Sequence, residues 1–284
     1  MVVNIEKYKY NIVIELNKMN RNDSPRNKLY DILKDIIIKN QFETISKDFI
    51  DSLNLNETIS LTNIFYKDHN YYYKGYPCGN YVKIIAKVFE LWNSLGSFPI
   101  NFYSINGLND ETQGVIEQLN TKTHIINMIM NHIQNNSLQQ ARQIAANFFD
   151  SVGIRGILTI LGVRSTIGST EGILIKKSEL LRMFNVTYQK HNSKTAITVG
   201  ARALSKHFDR NKDNFWFCNG TEQQRNSQAE EVFHKIMDGC VWINIHYLPN
   251  KTKVLEIRNF NGYGMRWNYF GEFRGLVEPE DKTL

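Results

Sequence analysis

Apolar residues recur at helical spacing through the first half of the chain and at strand spacing near its carboxyl end. In "NDSPRNKLYDILKDIIIKN", Ser24 can cap a helix and Pro25 suits its first turn, while Leu29, Ile32, Leu33, Ile36 and Ile37 form one stripe. A short helix is predicted over 46–53, and "YVKIIAKVFELWNSL" predicts a helix to about residue 94. Residues 64–80 are aromatic and turn-rich. "NDETQGVIEQLNTKTHIINMIMNHIQNN" predicts one or two helices despite Gly114. Ser137 followed by Gln140 fits a capping box that opens "LQQARQIAANFF".

The period then changes. Residues 151–172, "SVGIRGILTILGVRSTIGSTEG", are glycine-spaced but match neither GxxxxGK[ST] nor GxGxxG, so packing, turns and a bend are expected there instead of a nucleotide loop. "LIKKSELLRMFN" reads as a short amphipathic segment. Thr221 and Gln224 form a second candidate capping box, opening a helix with Ala229, Phe233, Ile236 and Met237 on one face. "CVWINIHYLP", "KTKVLEIRNF", "YGMRWNYF" and "EFRGLVEP" follow as four strands with turns at Pro249-Asn250, Asn261-Gly262 and Phe270-Gly271. The fold class is therefore α+β: a mostly helical N-terminal half and a C-terminal antiparallel meander packed with helices. Residues 1–150 form a mainly helical region and 151–284 an α+β region, or the two make one continuous domain.

Composition narrows the class without naming a function. The chain of 284 residues has room for a sizeable core, and it contains no apolar run of ~18 residues, so no membrane insertion is expected. The first residues lack a secretory apolar stretch, which predicts an intracellular protein, cytoplasmic or nuclear. Cys78, Cys218 and Cys240 are too few and too scattered for a disulfide framework or a metal knuckle. The net charge of +6 suits a polyanionic partner but is spread along the chain, so an anion site has to come from local geometry.

That geometry is legible in the strands. Period-2 alternation sends Asn244, His246, Glu256, Arg258, Arg266, Arg274 and Glu278 to one face of the meander, and Val241, Ile243, Ile245, Leu255, Ile257, Tyr263, Met265 and Trp267 to the other. Guanidinium groups offer paired donors to phosphate or carboxylate. His246 can serve as a proton donor or acceptor, and Glu256 can orient it or hold a metal. The competing reading is a solvated face laced with ion pairs of little consequence. A one-residue slip in register would reverse the assignment.

The preceding segment can add to this site. In "TVGARALSKHFDR" a helix would present Arg202 and Lys206 together, with His207 beside them and Arg210 a turn beyond. Trp216 either lines the platform or plugs the core. No HExxH or Cys-His spacing is present, so a bound ion would be magnesium, held by acids and phosphate, before zinc.

"VGARALSKHFDR", "VWINIH", "EIRNFNGYGMRW" and "FRGLVEP" resemble an uncharacterised eukaryotic family whose C-terminal domains carry GARA-SKH, GYGARW and GFLEP-like segments. The resemblance covers roughly residues 192–280; Met265 stands in place of an alanine, and Leu276-Val277 vary the last motif. It implies no activity. It marks Arg202, Lys206, His207, Glu256, Arg258, Tyr263, Arg266, Trp267, Arg274 and Glu278 as positions of interest.

These readings converge on a phosphate- or anion-recognising protein that binds nucleic acid or hydrolyses phosphodiesters. Arg202, Lys206, Arg258, Arg266 and Arg274 would hold the anion, with Tyr263 and Trp216 or Trp242 available for base stacking. His246 or His207 would move the proton, and Glu256 would orient it. The alternative is a non-enzymatic interaction domain that grips an acidic protein partner on the same arginines.

Overall fold

The computed structural model describes residues 25–53, 64–67, 69–189, 196–208 and 215–280. Ser24 and Arg210 lie outside them. Helix α1 (Pro25–Ile38) buries the predicted stripe of Leu29, Ile32, Leu33, Ile36 and Ile37. It packs on α3 (Tyr81–Leu95), α5 (Thr123–Gln134) and α6 (Leu138–Ile160); α2 (Lys47–Leu53) and α4 (Thr112–Asn120) complete the helical half. The Asn80 side chain accepts from the Lys83 N–H to start α3, and Gly96 ends it in the left-handed conformation at φ +70°. Phe89, Trp92, Phe148 and Phe149 meet edge to face at the centre of this core.

Two expectations change. Ser137 makes no capping hydrogen bond, because its ψ of 61° is not the extended backbone that aims a capping hydroxyl into the helix. The glycine-spaced segment continues α6 to Ile160, with a break at Gly153, where φ is 61° and ψ −174°. In addition, the tyrosine-rich segment forms strands. β1 (Ile64–Lys67) pairs antiparallel with β2 (Asn70–Tyr73), which pairs parallel with β3 (Ile100–Asn101). These pieces are too short for periodicity to reveal them.

The C-terminal part follows its sequence pattern closely. Helices α7 (Lys177–Phe184), α8 (Val199–Phe208) and α9 (Glu222–Asp238) precede an antiparallel meander of β4 (Cys240–Tyr247), β5 (Lys253–Asn259), β6 (Gly264–Asn268) and β7 (Phe273–Val277). The Thr221–Gln224 capping box is present in full. One face of the meander, with Ile245, Leu255, Ile257, Met265 and Trp267 buried, packs against the helices through Phe184 and Phe233. Its other face is polar.

The connection after α6 reaches that polar side and runs along the edge of β4. Arg164 N–H donates to the Ile243 carbonyl and Thr170 N–H to the Ile245 carbonyl, both at 2.8 Å. The Arg164 side chain is 1% exposed: it pairs with Asp110, donates to the carbonyls of Tyr103 and Val241, and lies 5.1 Å over the Phe102 ring. Arg155, from α6, donates to the carbonyls of Arg164 and Thr170. Two arginines thus tie a loop of the helical half to the sheet.

Glycine substitutions test this packing. A Cβ at Gly264 would press on the Ile257 carbonyl oxygen across the ladder and on Arg258 Cγ at 2.8 Å, whereas one at Gly114, inside α4, would meet nothing within 4 Å. Thermal unfolding should show Gly264→Ala lowering stability by roughly 1–3 kcal/mol and Gly114→Ala raising it by about 0.5–1 kcal/mol. Equal effects from the two would contradict the close approach of β5 and β6.

Candidate functional site

The ladder register sets the site. Asn244 stands opposite Glu256 across β4 and β5, and Glu256 opposite Arg266 across β5 and β6. Trp242 pairs with Arg258 and His246 with Val254, which puts His246, Glu256, Arg258 and Arg266 on one face, as alternation predicts. The chemistry is centred on one carboxylate. Glu256 is 2% exposed, and Arg258 Nε donates to its Oε1 at 2.7 Å. Arg266 Nε donates to Oε2 at 2.6 Å, its Nη2 pairs with the same oxygen, and His246 Nε2 lies 3.1 Å from it. An ionised carboxylate only accepts, so Nε2 carries the proton. His246 Nδ1 lies 3.3 Å from the Tyr247 carbonyl and donates to it when the ring is doubly protonated.

Burial pushes the Glu256 carboxyl toward its neutral form, but the His246 hydrogen bond and the charges of Arg258 and Arg266 outweigh it and hold the pKa down at about 2. The two arginines differ in what they have left. Arg258, 2% exposed, also donates to the carbonyls of Gly262 and Glu278 and pairs with Glu280, so its guanidinium is committed to the fold. The Arg266 side chain is 26% exposed, and its Nη1 has no partner among the described residues. Arg266 and His246, whose side chain is 17% exposed, are therefore the partners of Glu256 that remain open, while Arg258 is buried beneath them.

A hollow of about 300 Å³ opens above this network. Its floor is Asn244, His246, Glu256 and Arg266; its walls are Thr166 and residues 107–109 from the helical half, with Glu280 at one end. Asn244 is fixed from both ends of its amide, donating to Thr166 Oγ1 at 3.0 Å and accepting from Ser169 Oγ at 2.7 Å. Sequence reasoning missed Thr166, Ser169 and Glu280. The hydroxyl cluster of "RSTIGST" was the available signal, but nothing local tells that it docks on β4.

The other candidates lie elsewhere. Arg274 was expected on the polar face; it is exposed at a β-bulge, because Arg266 pairs with Gly275 while Trp267 pairs with Phe273. Glu278, expected there too, points to the helix side, where it accepts from Trp216 Nε1 at 2.8 Å and meets His207 Nδ1 at 2.6 Å. Trp216 is fully buried, and Tyr263, also buried, stacks on Phe215 at 3.8 Å, which closes their faces to a stacking base. Arg202 lies 3.8 Å over the Tyr188 ring, and Lys206 is exposed on α8. His207, Arg202, Lys206, Trp216 and Tyr263 are thus separated by the sheet from His246 and Glu256. Among the described residues no group of three His, Cys, Asp or Glu side chains is placed to hold a metal ion. Glu256 has both oxygens engaged, by Arg258 on one and by Arg266 and His246 on the other.

Comparison with known proteins bears on this geometry. Residues 186–278 match the family model described as the CdiA C-terminal tRNase toxin domain. A solved structure, the toxic C-terminal tip of CdiA from Pseudomonas aeruginosa in complex with an immune protein, is 28% identical over 31% of this chain and 95% of that one, with a TM-score of 0.28. No curated protein matches. The eukaryotic resemblance drawn from the C-terminal motifs is therefore corrected: the stretch that carries them matches the CdiA C-terminal tRNase toxin domain model instead. The matched stretch contains His246, Glu256, Arg258 and Arg266 but not Thr166, Ser169 or residues 107–109 of the hollow.

The depressed pKa of Glu256 sets a pH dependence. A carboxyl at about 2 when folded and 4.5 otherwise stabilises the fold at pH values above 4.5, and that contribution is lost as pH falls toward 2. The difference in denaturant-unfolding free energy between the wild type and Glu256→Gln should therefore be constant near neutrality and narrow by about 3 kcal/mol between pH 5 and 2 (roughly, by linkage). A difference that stays flat through that window contradicts the charged network.

Proposed function

We propose that the polar hollow cleaves RNA phosphodiesters, with tRNA as the substrate class suggested by the family description of residues 186–278. The observation that supports this is one buried carboxylate holding both a histidine and a partly open arginine at the floor of a hollow. Glu256 fixes the His246 tautomer with the proton on Nε2, which leaves Nδ1 as the base. In this mechanism Nδ1 takes the proton of a ribose 2′-hydroxyl as its oxygen attacks the adjacent phosphorus. The bond to the 5′-oxygen breaks, that oxygen takes a proton from water, and a cyclic phosphate remains. The imidazolium is then satisfied on both nitrogens, by Glu256 and by the Tyr247 carbonyl. Arg266 Nη1 meets the charge that builds on the non-bridging oxygens, where a fixed donor is most effective. Because tRNA is cytoplasmic, the reading places the activity in the cytoplasm of a target cell.

A second arrangement has its own support: His207, Glu278 and Trp216 form another acid–base cluster, next to Lys206 on α8. Gel assays on purified tRNA separate the two. His246→Ala should lower turnover about 10²–10⁴-fold while RNA affinity changes little, and Arg266→Ala should lower both. His207→Ala should leave most of the turnover. Full activity in His246→Ala with loss in His207→Ala moves the chemistry across the sheet. A wild type that binds an acidic protein on Arg266 and cleaves no RNA leaves the interaction-domain reading in its place.

A further inference from the structure

A second and larger hollow, about 740 Å³, lies between the β1–β3 sheet and the start of β4. Lys67, Lys74 and Tyr103 line it from the N-terminal half; Asp238, Val241 and Phe260 line it from the C-terminal part. The mechanism above uses none of them.

Its aromatic side chains are presented, not packed away. Phe260 is 60% exposed at the turn between β5 and β6. That turn is rigid, since Asn259 Oδ1 accepts from the N–H groups of Asn261 and Tyr263 and the Asn259 carbonyl accepts from Gly262. The Tyr103 ring meets Phe260 edge to face at 5.5 Å and is braced from behind by Tyr72, stacked at 4.4 Å and 17°. The acid of the cleft, Asp238, is paired with Lys177 at 2.5 Å, and the exposed Lys74 adds positive charge at the rim. A flat apolar face beside a cationic side chain suits a nucleobase with its phosphate. The volume lies within the usual range for a ligand pocket, ~300–1,000 Å³.

The position links this cleft to the polar hollow. Phe260 is two residues from Arg258, which braces the floor there, and Tyr103 is four residues from Gly107, which lines its wall. We infer that the cleft is a base-stacking subsite for an unpaired nucleotide of the same RNA strand that enters the polar hollow. This rests on the RNA reading of that hollow and extends it: Tyr103 and Lys74, outside the matched 186–278 stretch, would join Phe260 within it to select single-stranded over duplex RNA, because only unpaired bases expose a face to stack.

The test uses the full chain and fluorescence anisotropy with a labelled 2′-O-methyl oligouridine, which lacks the attacking hydroxyl and stays intact. Phe260→Ala, at an exposed site, should weaken binding roughly tenfold, and Phe260→Trp should restore it. Lys74→Glu should weaken binding and flatten its salt dependence. A blunt RNA duplex should bind Phe260→Ala and the wild type alike. If Phe260→Ala binds oligouridine as well as the wild type, or weakens for duplex and single strand equally, the subsite falls while cleavage at His246 stands. An oligoglutamate probe that loses as much affinity as the RNA in Phe260→Ala would mark a site for acidic peptide and overturn base stacking. A wild type that binds no RNA removes both readings.

Discussion

The structure on the polar side of the meander depends on the buried Glu256 carboxylate and the three cationic or hydrogen-bonding groups around it. A carboxylate removed from water is tolerated only when its lone pairs are used, and here Arg258, Arg266 and His246 use them. The arrangement cuts both ways. Each partner gains a fixed position, and each becomes indispensable, because losing one leaves a charge buried without compensation. That constraint turns three alternate residues on neighbouring strands into a preorganised group instead of a set of mobile surface side chains.

The helical half completes what the sheet begins. Arg155 satisfies two carbonyls of the segment after α6, and Arg164 within that segment donates to the Val241 carbonyl of β4, so that Thr166 and Ser169 can fix the Asn244 amide. The hollow therefore has a floor from one part of the chain and a wall from the other. The stretch matched by the family model holds the groups proposed for the chemistry, while residues 107–109 and Thr166 wall the hollow around them. Burial of a whole guanidinium at Arg164 is a costly way to anchor a loop unless its hydrogen bonds are met, and Asp110, Tyr103 and Val241 meet most of them.

Much of this is legible in the residue pattern alone. The α1 stripe, the Thr221 capping box and the faces of β4, β5 and β6 all followed from spacing, since burial on one side of a helix or sheet imprints its period on the sequence. Arg274 and Glu278 did not follow. A bulge between β6 and β7 inserts one residue, with Gly275 at φ +141°, and strict alternation has no means of registering the extra step. The Ser137 box shows the same limit at a helix end, where the backbone angle and not the residue pair decides whether a hydroxyl can cap.

By itself the sequence determined the α+β class, the four-stranded meander and the gathering of His246, Glu256, Arg258 and Arg266 on one surface, because these depend on neighbours two residues apart or on adjacent strands joined by short turns. Only the tertiary structure decided that His207 and Trp216 sit across the sheet, that Arg258 is a brace while Arg266 remains open, and that Thr166 closes the hollow. Those outcomes turn on contacts between residues far apart in the chain, and on competition for a limited number of acceptors, neither of which leaves a periodic trace.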